Sequence, residues 1–265
     1  MLTRNLRVSL IEHNITWADK EANMKCLESY LQMMPEGTDL VVLPEMFSTG
    51  ILDDSAMAAE LAERNTGDTI TRLQQLADKY SVGIAGSFLA CTASRLFNRG
   101  FFIQPHDDET FYDKSHLFGF GGEDKTYSQG NDNAPIIRFR GMNIKLIICY
   151  DLRFPVFCRN AGNAYDVMLV VANWPTARIN AWRTLLAARA IENECYVCGV
   201  NRCGTDANGI NYGQGSSMIF DFKGKCLAMT SGQTPFASAD LSPADLEKFR
   251  TKFPAWRDAD DFKLL

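Results

Sequence analysis

Two short aliphatic runs, Leu40-Val41-Val42-Leu43 and Leu146-Ile147-Ile148, constrain the fold of this chain more than any other feature. Strands made of unbroken aliphatic residues are buried on both faces and need cover above and below the sheet. Each run stops at a residue capable of chemistry. The first leads into Pro44-Glu45-Met46-Phe47, which puts a carboxylate at a strand tip. The second stops at Cys149 and turns through Asp151, Arg153 and Pro155. A thiol at the carboxyl edge of a strand, followed by a helix start at Pro155, lies where ligands of α/β folds bind. Taken alone, a strand cysteine is more often a core residue than a nucleophile, and a loop glutamate is more often merely solvated.

The remaining segments alternate in period. Leu6 to Ile11 reads as a first strand, and residues 19–34 as a helix with Leu27, Leu31 and Met34 on one face. Residues 66–80 form a second helix with Thr66 as its cap, and Val82 to Leu89 returns to strand spacing. Strands follow at 98–103 and 110–113, the latter delivering Lys114 to its end. The stretch from Phe118 to Pro135 is rich in Gly and polar residues and reads as a functional rim or lid. Beyond it the pattern predicts strands at 136–140, 145–148, 165–171 and 195–200, and helices at 155–163 and 180–192. A hairpin is expected around Lys223-Gly224, and a helix-like extension with an aromatic tail (Phe253, Trp256, Phe262) over 240–265. No Pro, Gly and Ser linker divides the chain, so residues 1–265 read as a single α/β domain.

Hydrophobic residues at 46% and charged residues at 22% supply a large core and leave no basis for disorder. A net charge of −5 argues against a nucleic-acid surface and against a basic membrane-binding face. The charges at Arg4 and Arg7 interrupt what a signal peptide would keep apolar, and no window is long and apolar enough for a membrane span. The expected setting is therefore cytoplasmic. The eight cysteines then read as reduced thiols rather than a disulfide framework.

Glu45, Lys114 and Cys149 each end an apolar strand, and together they form the set that acyl transfer through a thioester requires. A free thiol ionises near pH ~8.5, so a neighbouring base is needed, and Glu45 qualifies. Lys114 and the backbone N–H of Tyr150 are the expected oxyanion donors.

The segments Leu43-Pro44-Glu45-Met46-Phe47, Tyr112-Asp113-Lys114-Ser115-His116-Leu117-Phe118 and Cys149-Tyr150-Asp151-Leu152-Arg153-Phe154-Pro155 resemble the Glu, Lys and Cys motifs of the nitrilase superfamily of carbon–nitrogen hydrolases. Glu123-Asp124-Lys125-Thr126-Tyr127 resembles its second-glutamate loop, and Ala188-Arg189-Ala190-Ile191-Glu192-Asn193 the helix before a late strand. Within it, Val171-Ala172-Asn173-Trp174-Pro175, Asn201-Arg202-Cys203-Gly204 and the stretch 252–260 resemble the bacterial ω-amidase branch. The resemblance implies a four-layer αββα sandwich, usually a homodimer, without a cofactor or metal, that hydrolyses the distal amide of short dicarboxylic monoamides such as 2-oxoglutaramate or succinamate. It implies Cys149 as nucleophile, Glu45 as base, Lys114 as oxyanion stabiliser, and Glu123 as a second acid orienting Lys114 or the leaving group.

A carboxylate-bearing substrate needs a cation, and Arg153, Arg178 and Arg202 all follow strand ends. Phe118, Tyr127 and Trp174 are expected as apolar wall, and Asn173 as a further contact. Three rivals remain. One is a Cys–His hydrolase using His116; another is a superfamily member acting on N-carbamoyl amino acids or general aliphatic amides. The third is a cysteine-rich metal or redox protein built on Cys195, Cys198 and Cys203, although a second cysteine pair with zinc-site spacing is missing.

Overall fold

The computed structural model describes residues 4–131 and 133–260. The first half runs β1 (Leu6–Ile11), α1 (Lys20–Met33), β2 (Leu40–Val42), α2 (Ser55–Leu61), α3 (Asp68–Tyr80), β3 (Gly83–Thr92), β4 (Arg95–Ile103) and β5 (Thr110–Asp113). The second half runs β6 (Ile136–Phe139), β7 (Met142–Ile148), α4 (Pro155–Cys158), β8 (Val167–Ala172), α5 (Ile179–Glu192), β9 (Tyr196–Asn201), β10 (Gly204–Thr205), β11 (Asn211–Gly213), β12 (Met218–Phe220), β13 (Cys226–Met229), β14 (Phe236–Leu241) and α6 (Pro243–Lys252).

Two six-stranded mixed sheets result, in the orders β14-β1-β2-β3-β4-β5 and β13-β12-β9-β8-β7-β6. Strand period explains how they stack. On β2, Leu40 and Val42 join one buried cluster with Ile144, Leu146 and Ile148 of β7, so these side chains fill the space between the sheets. Val41 points the other way and packs with Leu27 and Leu31 of α1 and Leu73 of α3. Trp182, Leu186 and Ala190 of α5 cover the second sheet. The layers are therefore helix, sheet, sheet, helix, the αββα sandwich expected from the motifs. Gly100 on β4 lets the sheets approach: a Cβ there would stand 3.2 Å from Leu146 Cδ2.

Several local expectations differ from what forms. The chain from Asp240 onward is not all extension, because β14 already holds Phe236–Leu241 and pairs antiparallel with the whole of β1. Its inward residues include Ala237 and Ala239, too small to give a hydrophobic run, and backbone pairing makes the strand. The helix expected over 155–163 is a single turn at α4 with a separate 3-10 turn at Ala161–Asn163. Helix α2 has little apolar pattern and starts instead on the Asp54 side chain, which accepts from the N–H groups of Ala56 and Met57. Thr66 does not cap α3, whose N-cap is Gly67 without a side-chain bond. Of the aromatic tail, Phe253 is exposed and Phe262 lies outside the described residues. Among the described residues, no helix is long and apolar enough to cross a membrane.

Candidate active site

β2, β5 and β7 bring Glu45, Lys114 and Cys149 together. β2 ends in Leu43-Pro44, and the next residues turn back with Met46 at φ +50°, so that Glu45 is fully buried. β5 ends at Asp113, and Lys114 stays tied to the sheet by its N–H to the Asn98 carbonyl at 3.0 Å. Lys114 is 1% exposed, an expensive place for an ammonium unless it is paired. It is paired twice: Nζ lies 2.9 Å from Glu45 Oε1, and 2.9 and 2.8 Å from the two oxygens of Glu123. Burial works against the charge on Lys114, but Glu123 and Glu45 outweigh it and hold the ammonium well above its ordinary pKa.

Cys149 follows β7 directly and adopts φ +46°, a left-handed conformation rare for a residue with a side chain. The Asp151 carboxylate stabilises this turn. It accepts from the Ile148 N–H at 3.0 Å, the Tyr112 hydroxyl at 2.8 Å and the His116 N–H at 3.0 Å, so one buried group joins the cysteine turn to the lysine loop. The N–H of Tyr150 lies in the first turn of the 3-10 segment Cys149–Arg153, where backbone donors have no acceptor within the helix. Burial, then the Glu45 carboxylate, push the Cys149 thiol well above its usual pKa, and Lys114 acts in the opposite sense. A protonated thiol beside a carboxylate can lose its proton to it as a bond forms, while the charge of Lys114, whose three N–H groups are directed at Glu45 and Glu123, and the Tyr150 N–H can stabilise a developing oxyanion.

Glu123 reaches the centre because the glycine-rich approach coils into two 3-10 turns, Gly119–Gly121 and Glu123–Lys125, joined by Gly122 at φ +80°. Its Oε2 also accepts from the Phe118 N–H at 2.6 Å. Two residues that the motifs did not single out complete the frame. Asn98 of β4 donates from Nδ2 to Glu45 Oε1 at 2.7 Å and to Glu123 Oε1 at 3.3 Å, and Ser87 of β3 donates to Asn98 Oδ1 at 2.9 Å. Their signal was a polar residue interrupting the core run of a buried strand.

A cleft of about 40 Å³ beside Cys149 is lined by Tyr150, Arg153 and Trp174. A cavity of about 150 Å³ adjoins it and shares Phe118, Asn173, Pro175 and Arg178 as common wall. Glu123 and Tyr127 line the larger space, together with Asp206, Asn208, Ile210 and Tyr212 from the small β10–β11 flap, which the sequence reading did not anticipate. The expected residues Phe118, Tyr127, Arg153, Asn173, Trp174 and Arg178 therefore converge. Arg202 does not. It is 2% exposed, donates to the Ile15 and Cys203 carbonyls, and stacks over Tyr212, so it supports the cavity from behind.

His116 is engaged elsewhere. Its Nδ1 lies 2.8 Å from Asp151 Oδ1 and its ring stacks on Phe154 at 3.8 Å, whereas the charges that act on Cys149 come from Glu45, Lys114 and Glu123. Cys195 and Cys198 are buried, and burial drives both thiols far up in pKa. Among the described residues, no group of three His, Cys, Asp or Glu side chains could hold a metal ion.

The sequence profile of the carbon–nitrogen hydrolases matches residues 7–251. The omega-amidase YafV of Escherichia coli (strain K12) is 41% identical over 260 residues, covering 98% of both chains. The 2-oxoglutaramate amidase of Bacillus subtilis (strain 168) is 29% identical over 255 residues, covering 95% of this chain and 96% of that one. Among solved structures, the CN-hydrolase superfamily protein XC1258 from Xanthomonas campestris, described with an arsenic adduct in its active site, superposes with a TM-score of 0.92. It is 37% identical and covers 98% of this chain and 99% of that one. With a family match across most of its length and a Glu, Lys and Cys assembly between two sheets, the chain belongs to the carbon–nitrogen hydrolase family.

Proposed function

We propose that this carbon–nitrogen hydrolase is an ω-amidase, converting a short dicarboxylic monoamide to the diacid and ammonia through a Cys149 thioester. The observation that carries the substrate class is Arg178. Its guanidinium borders both the Cys149 cleft and the adjoining cavity, lying over the Phe118 ring at 5.1 Å, and that stacking leaves its edge N–H groups to face a carboxylate. The names of the relatives, omega-amidase and 2-oxoglutaramate amidase, support the same reading.

Glu45 takes the Cys149 proton as sulfur attacks the amide carbon, and Lys114 with the Tyr150 N–H receives the oxyanion. The proton passes to nitrogen as the C–N bond breaks and ammonia leaves. Water then attacks the thioester, giving a proton to Glu45, and the thiol is restored as the acid departs. Glu123 holds Lys114 in place throughout. The protein works as a cytoplasmic homodimer in this reading, in keeping with its free thiols and the exposed Phe253; sedimentation equilibrium showing a monomer would remove the dimer.

The deciding experiment is an ammonia-release panel with Cys149→Ala as control. Succinamate and 2-oxoglutaramate should exceed uncharged amides, nitriles and N-carbamoyl amino acids. Arg178→Met should raise KM for succinamate by about 10–100-fold, the loss of one charge-assisted pair, and leave a neutral amide unaffected. A wild-type preference for neutral amides or N-carbamoyl amino acids would move the protein to another branch.

A further inference from the structure

The hydrogen bonds around the two buried carboxylates divide their roles, and a carboxylate offers about four acceptor positions for that division. Glu123 has all of its positions filled: Oε1 accepts from Lys114 and Asn98, and Oε2 from Lys114 and the Phe118 N–H. Glu45 has three filled: Oε1 accepts from Lys114 and Asn98, and among the described residues Oε2 accepts only the Asn173 N–H, at 2.8 Å. Asn98 is the residue common to both. Its amide cannot turn over without breaking the chain in which the Met46 N–H donates to the Ser87 hydroxyl at 2.8 Å and that hydroxyl donates to Asn98 Oδ1. Asn98 and Ser87 are both fully buried.

We propose that Asn98 is a positioning residue that makes Glu45 Oε2 the proton-accepting oxygen of the site. By occupying the second position on Glu45 Oε1 and on Glu123 Oε1, it leaves one carboxylate oxygen able to receive a proton, and confines Glu123 to anchoring Lys114. Asn98 also sets Lys114 itself, since its carbonyl accepts the Lys114 N–H. This assignment rests on Glu45 being the base.

The titratable groups whose charge bears on Glu45 are Lys114 at the end of β5, Glu123 in the glycine-rich loop, Cys149 after β7, Tyr127 and Tyr212. Removing an N–H donor from a carboxylate makes its ionised form harder to reach. The acid limb of kcat/KM against pH reports that ionisation in the free enzyme, as a property of the coupled pair.

The test compares succinamate hydrolysis across pH for the wild type, Asn98→Leu and Ser87→Ala. In Asn98→Leu the acid limb should move to higher pH, with kcat lowered and KM little changed because Asn98 lines neither cavity. Ser87→Ala removes only the hydroxyl that orients the amide, adds no apolar bulk beside the carboxylates, and should move the limb the same way by less. Acid limbs coincident with the wild type, or a loss appearing in KM alone, overturn the proposal; if Asn98→Leu does not fold, an unmoved limb in Ser87→Ala is sufficient to do so. Glu45→Gln separates the two levels. Full activity in that variant would sink the base assignment, whereas an inactive Glu45→Gln with unmoved limbs in the other two sinks only the role of Asn98.

Discussion

At Cys149, two effects that are often treated as one pull apart. A low thiol pKa is one way to activate a cysteine, yet here burial and the Glu45 carboxylate raise it, and Lys114 only partly compensates because Glu45 and Glu123 share its charge. In the proposed mechanism the nucleophile is thus prepared by having a base beside it rather than by resting as a thiolate. Glu45→Gln should separate the two effects. Without the neighbouring negative charge the thiolate, followed by its ultraviolet absorbance, should form at lower pH than in the wild type, while amide turnover falls by about 10²–10⁴. Thiolate formation at higher pH in that variant would contradict this account. Cys149, Lys114 and Glu45 were legible because each stands at the end of an apolar run. Asn98 was less so, since one buried asparagine in a strand has many structural explanations and its two carboxylate partners are 53 and 25 residues distant in sequence.

The elements matter chiefly for where they stop. β5 is four residues long, and its end is clamped by a contact no side-chain pattern announces: the Gly130 N–H donates to the Lys114 carbonyl at 2.9 Å, with Gly130 packed directly on the Asp113 backbone. A methyl at this position has no room, because it would run into the Asp113 carbonyl. Gly130→Ala should therefore displace Lys114, and a shift of about 1 Å in such a group costs about 10²-fold in turnover. Measured kcat, beside a circular dichroism spectrum showing the sheets retained, checks this; unchanged turnover would mean the strand end is not what places Lys114. Elements with strong period, such as β1, α1, α3 and β5, formed within two residues of expectation. β14 and α2 escaped, since small residues and a side-chain cap carry little hydrophobic signal.

For the molecule as a whole, the segment after β1 joins the two sheets. The Glu12 carboxylate accepts the N–H groups of Gly215, Ser216 and Ser217, and the His13 carbonyl accepts the Cys203 N–H at 3.0 Å. His13 itself is 4% exposed, with Nε2 3.0 Å from Asn23 Oδ1 and no partner for Nδ1 among the described residues. Burial, partly offset by the Asn23 bond, lowers its pKa from 6.5 to about 4. The folded protein thus keeps His13 neutral through a range in which the unfolded chain takes up a proton. Its contribution is complete above pH 6.5 and is lost as the pH falls toward about 4, an effect of up to about 3 kcal/mol. Urea denaturation at several pH values should show this slope in the wild type and a shallower one in His13→Gln. Equal slopes would place the acid sensitivity elsewhere.

The sequence by itself determined the α/β class, the family and the three strand-end residues, because buried strands and short motifs are written in neighbouring positions. That Arg153 and Arg178 border the cleft beside Cys149 while Arg202 does not, that Glu123 is saturated while Glu45 Oε2 keeps one acceptor position, and that Asn98 bonds both carboxylates were decided only by the tertiary structure. The physical reason is that these are contacts between residues far apart in the chain. The carboxylate bonds depend on distances near 3 Å, made within one sheet, as from Asn98 to Glu45, or only once the second sheet is packed on it, as from the Asn173 N–H to Glu45.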